Sequence, residues 1–86
     1  MNTATKVKEI RGFRGEAAVY RLDPPYRGEE YVVASSIHLP KSPWKEETAV
    51  FASTEAGEVP SYFDLAVVKE YSHAAALASI GYEVKS

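Results

Sequence analysis

The chain has 86 residues, 45% of them hydrophobic and 26% charged, with six tyrosines, three phenylalanines, one tryptophan and no cysteine. That length holds one ordinary domain with a modest core, and the aromatic content separates it from disordered chains. The missing cysteines exclude a disulfide framework and the cysteine-based zinc modules, and favour a reducing compartment.

The formal net charge of −2 names no partner. Its distribution is uneven: residues 1–45 carry +3 and residues 46–86 carry −5. Such a split yields a basic and an acidic face only if the fold keeps the two halves apart. The opening residues contain no apolar run of the signal-peptide kind. The longest apolar stretches, Ala74 to Ala78 and Leu65 to Val68, fall far short of a bilayer span. A cytoplasmic protein without a membrane partner is expected.

In chain order, residues 1–5 read as a flexible tail, and residues 6–86 as a single domain. Lys6 to Ile10 alternates charged and apolar residues, as a short edge strand does. Arg11-Gly12-Phe13-Arg14-Gly15 is a turn or bulge, with two glycines three positions apart. Glu16 to Leu22 is a strand. Asp23-Pro24-Pro25-Tyr26-Arg27-Gly28 is expected to be a loop, because two successive prolines remove two ladder donors.

Glu29 to Leu39 is the strongest strand, and its centre, Tyr31-Val32-Val33-Ala34, is apolar on both faces, which predicts an interior position. Together with the preceding strand it makes an antiparallel hairpin. Pro40 to Glu47 is a loop holding Trp44, and Thr48 to Ser53 is a further strand. Residues 62–71 fit a helix by the spacing of Phe63, Val67 and Tyr71, and fit a strand by Leu65-Ala66-Val67-Val68. Ser72 to Ile80 is a helix, with Ser72 as N-cap, alanine-rich turns and Gly81 at the left-handed position after it. Tyr82-Glu83-Val84 is able to return as a last short strand. The expected fold is α+β: a two-layer domain with an antiparallel meander of three to four strands and a C-terminal helix on one face.

Nothing in the sequence has the spacing of a catalytic or metal motif. His38 and His73 are 35 positions apart and neither belongs to a ligand-spaced pair. Ser35 and Ser36 near His38 lack a nucleophile elbow and point to opposite faces of their strand. The pairs Glu29-Glu30 and Glu46-Glu47 solvate turns better than they serve as an acid and a base. No enzyme, cofactor or metal is expected.

The segment around Phe13 offers Arg11 and Arg14 for phosphates and an aromatic ring for stacking. Arg21 and Arg27 extend that basic character along a hairpin of the groove-reading kind. Its bland alternative is a glycine-flanked bend with solvated arginines. Tyr26, Trp44 and Tyr62 stand in loops or at element starts, where aromatics either close a small core or meet a partner.

The stretches from Phe13 to Glu16, Tyr20 to Pro25 and Tyr31 to Val33 resemble small uncharacterised proteins of actinobacterial phages and their hosts. His73 to Leu77 and Gly81 to Val84 share the likeness. The resemblance covers most of residues 11–84. It implies a phage accessory gene or a prophage remnant acting in the host cytoplasm, and implies no activity.

The sequence thus leads to a non-enzymatic protein that binds a host or phage protein. Its candidate contact residues are Arg11, Phe13, Arg14, Tyr26, Arg27 and Trp44. A homodimer through an exposed sheet edge is compatible with this reading. The alternative is a nucleic-acid-binding accessory protein that uses the basic strands from Arg11 to Arg27.

Overall fold

Tyr31-Val32-Val33-Ala34 must hide side chains on both faces, and the strand that carries it lies inside a six-stranded sheet. The computed structural model describes residues 2–38 and 45–85. Its strands are β1 (Thr3–Ile10), β2 (Glu16–Tyr26), β3 (Glu29–His38), β4 (Glu46–Ser53), β5 (Asp64–Val68) and β6 (Glu83–Lys85), with one helix, α1 (His73–Ala78). The sheet order is β5-β4-β3-β2-β1-β6. Neighbours are antiparallel except for β1 and β6, which run parallel. The fold is thus mostly strands with one short helix, broadly α+β as expected. Six strands replace the three to four anticipated, because both ambiguous segments, 64–68 and 83–85, are strands.

Two side-chain sets follow from the period of two. Ala18, Tyr20, Leu22, Val32, Ala34 and Val50 face α1 and bury its Ala76 and Leu77, with Ala4 and Tyr82 completing the layer. Fully burying Leu22 or Leu77 is worth roughly 2 kcal/mol each. Ala17, Val19 and Val33 occupy the opposite face, where no helix lies among the described residues. Ile10, Phe13, Tyr31 and Val59 pack there instead, so two irregular segments, the β1–β2 bend and the β4–β5 connection, form the second cover. Gly57 lies so close that a Cβ on it would stand 3.0 Å from Ile10 and 3.2 Å from Val19.

The helix obeys its sequence signals. The Ser72 side chain accepts the Ala75 N–H at 3.0 Å. At the other end Gly81 donates to Ala78 and Tyr82 to Leu77, the paired bonds of a Schellman closure with Gly81 at φ +92°.

Two expectations need correction. Residues 3–5 are no tail: Thr3, Ala4 and Thr5 pair with β2 on one side and β6 on the other, and Ala4 is wholly buried. One of these two partners lies some 80 positions away, invisible to local pattern. Residues 23–26 are not a loop. Strand β2 continues to Tyr26 through an irregularity in its pairing with β3 between Arg21 and Tyr26, which accommodates the two prolines without ladder donors. The reversal itself is Arg27-Gly28, both at positive φ (51° and 84°), as a type I′ hairpin turn requires. The loop expected at 40–47 and Trp44 within it lie mostly outside the described residues, and β4 has already begun at Glu46.

Candidate aromatic platform

The bend between β1 and β2 is fixed from below. Ser35, buried in β3, donates its hydroxyl to the Arg14 carbonyl at 2.6 Å. Gly15 passes so close to β3 that an added Cβ would fall 2.1 Å from the Ser36 carbonyl oxygen. The bend is thus tied to β3, and Phe13 lies over the second face.

There Phe13 meets Phe51 of β4 and Tyr62 of the β4–β5 connection. The ring centroids stand 5.8 Å (Phe13–Phe51), 5.9 Å (Phe13–Tyr62) and 6.0 Å (Phe51–Tyr62) apart. Phe13 and Tyr62 are near-parallel, and each stands in a T-shaped arrangement with Phe51, as ring quadrupoles prefer. Phe51 is buried, yet Tyr62 is 71% exposed and the adjoining Phe63 is 76% exposed. The Arg14 guanidinium lies 5.4 Å from the Phe51 centroid and pairs with Glu47 at 3.3 Å. The result is an open aromatic platform over a buried Phe51.

The sequence-predicted contact residues divide. Arg11, Phe13 and Arg14 belong to the platform end of β2. Tyr26 and Arg27 sit at the far end of that 11-residue strand, about 30 Å away at strand rise. Tyr26 packs edge-on to Tyr82 at 6.2 Å, and Arg27 covers Tyr26 at 5.2 Å. That pair closes the helix-side core. Trp44 lies outside the described residues. Phe51 and Phe63 were missed, since a phenylalanine in a strand reads as core and 62–71 had no settled conformation.

Charge around the platform is mixed. Arg14 is paired with Glu47 and, further along β2, Arg21 with Glu30 at 3.2 Å. The stretch Thr54 to Asp64 adds Glu55, Glu58 and Asp64 and no cation.

The histidines and the Ser36 and Thr48 hydroxyls serve the opposite face. The Glu16 carbonyl accepts only, so His73 donates to it from Nε2 (2.9 Å), leaving Nδ1 to accept from the Tyr20 hydroxyl at 3.0 Å. Burial pushes the Tyr20 phenol above its usual range. His38 stacks on Tyr71 at 4.5 Å, and Tyr71 donates to the Glu16 carboxylate at 3.2 Å. Among the described residues no group of three or more metal-ligating side chains converges. Ser36 and Thr48 share a 2.6 Å hydrogen bond inside the core. No helix among the described residues is long and apolar enough to cross a membrane.

Compared with models of known protein families, with curated proteins and with solved structures, the chain matches none.

Proposed function

We propose that this chain is a small non-enzymatic protein-interaction module, an accessory protein of a phage or its host, that engages a protein partner in the host cytoplasm. The observation that carries the reading is the exposure of Tyr62, packed on Phe13 and Phe51, and of the adjoining Phe63. Large aromatics on a pre-organised base are the anchors of protein interfaces, because little conformational entropy is lost when they are covered. The mixed charge supports a protein partner over a nucleic acid, since a phosphate track needs unneutralised cations and Arg14 and Arg21 are already ion-paired.

The experiment is an affinity capture from nuclease-treated actinobacterial lysate with the wild-type protein and the Tyr62→Ala/Phe63→Ala variant. A single protein retained by the wild type and lost from the variant is the expected result. Recovery of nucleic acid that salt or Arg11→Ala/Arg14→Ala abolishes would overturn the reading in favour of the basic hairpin.

A further inference from the structure

A carboxylate stands at the edge of the aromatic platform. Phe51 of β4 is opposite Asp64 of β5, and the pairing then slips so that Val50 meets Ala66. Leu65 is the extra residue, and both it and Ala66 pack toward the helix side. Asp64 is thereby left on the face of Phe51, two positions from Tyr62. Glu58 stands in the connection that covers this face, between Gly57, which approaches Ile10 and Val19, and Val59, which packs on the core there.

The cations near this end of the sheet are already engaged. Arg14 pairs with Glu47 and Arg21 with Glu30. Arg11 stands near Glu9, whose ladder partner Ala18 belongs to the helix side. Lys69 follows the far end of β5, about 15 Å from Asp64 at strand rise. The carboxylates of the connection, Glu55, Glu58 and Asp64, therefore give the border of the platform an excess of negative charge.

We infer that the platform takes an arginine side chain of its protein partner, the guanidinium lying on the open side of Tyr62 and pairing with Asp64. This rests on the interaction-module reading and names the chemistry of the partner. Tyr62 stacks on Phe13 by one side and is largely exposed, so its other side is open. An open aromatic face attracts a cation, and a guanidinium suits it because that group is planar and weakly hydrated. The platform already holds one guanidinium in this manner: Arg14 lies 5.4 Å from the Phe51 centroid and pairs with Glu47 at 3.3 Å. Tyr62 with Asp64 offers the same ring and carboxylate to the outside. The same carboxylates repel a phosphate backbone.

Amide-shift titrations of the wild type with the acetylated, amidated peptide Gly-Arg-Gly-Arg-Gly test the inference. Two counterparts carry citrulline (equal shape, no charge) or glutamate in place of each arginine. The arginine peptide should give saturable shifts centred on residues 62–64, and the citrulline peptide should bind about tenfold more weakly. Asp64 is exposed, so Asp64→Asn should keep the circular dichroism spectrum while weakening the arginine peptide about threefold. Asp64→Lys should turn the preference toward the glutamate peptide. Shifts that do not saturate, equal binding of the citrulline peptide, an affinity untouched by Asp64→Asn, or shifts gathered on β1 and β6 would each overturn the inference. Tyr62-dependent capture of a protein that Asp64→Asn leaves intact would remove only the arginine. Peptide binding as expected, with no protein captured from lysate, would remove only the proposed function.

Discussion

Thr48 of β4 donates its hydroxyl to the Glu70 carbonyl at 2.6 Å, tying the centre of the sheet to the segment that leads into α1. The same oxygen accepts the Ser72 N–H at 3.0 Å and the Ser36 hydroxyl. Every hydrogen-bonding site on that fully buried oxygen is used.

Thr48→Val keeps the shape and removes the oxygen. It leaves the Glu70 carbonyl, the Ser72 N–H and the Ser36 hydroxyl without their partner. The expected loss is about 2–4 kcal/mol, read as a lower urea midpoint at unchanged slope. Thr48→Ser should recover most of it.

Gly15→Ala should be among the most damaging single-atom changes. The residue sits at φ +62°, and the new methyl would fall 2.1 Å from the Ser36 carbonyl oxygen, which is backbone and cannot swing aside. A cost above about 3 kcal/mol is expected. Gly28→Ala is the control: its φ is similarly left-handed, but nothing lies within 4 Å, so about 1–2 kcal/mol is expected. Thermal unfolding of the two variants separates strain from collision.

Phe51 and Tyr62 touch each other but should answer mutation in opposite ways. Phe51→Ala empties a buried site and should cost about 3–5 kcal/mol. Tyr62→Ala alters a largely exposed ring and should change stability by less than about 1 kcal/mol, while abolishing partner capture.

Alkaline pH should unfold the protein through its buried phenols. Burial raises the Tyr20 and Tyr82 hydroxyls above their ordinary value, and these groups donate to His73 and to the Pro24 carbonyl. In the unfolded chain they ionise near pH 10, whereas the folded protein holds the protons more tightly. Stability from this source is therefore complete below about pH 10 and falls as pH rises through the raised values. Denaturant midpoints measured from neutral to alkaline pH should decline, and Tyr20→Phe with Tyr82→Phe should flatten the decline.

Strand β3 and helix α1 were legible because their signals are local. Tyr31-Val32-Val33-Ala34 needs cover on both faces, and Ser72 and Gly81 bracket the helix through bonds within a few residues. Thr3-Ala4-Thr5 carries no such signal, and its strand is held by pairing with β2 on one side and β6 on the other. Pro24-Pro25 argued for a loop on donor count, which holds only where a ladder needs those donors, and an irregular stretch does not. Of the contact residues, Arg11, Phe13 and Arg14 share one end of the sheet, while Tyr26 and Arg27 share the other. The spacing along a strand was legible, but which residues from β4 and the β4–β5 connection would join Phe13 depends on topology.

The parallel pairing of Thr3–Thr5 with Glu83–Lys85 bears on how the chain is made. On a ribosome, β1 to β4 emerge in the order in which they pair, and each can zip onto its predecessor as a hairpin. The start of β1 has to wait for Glu83 before its rim is sealed, and so long a closure is the slowest kind of contact to form. Throughout synthesis the nascent chain thus leaves open the Thr3–Thr5 stretch of that rim, which β6 covers in the finished molecule. Newly made copies on one message meet while that rim is exposed, and it is then that mispairing between neighbours is most probable.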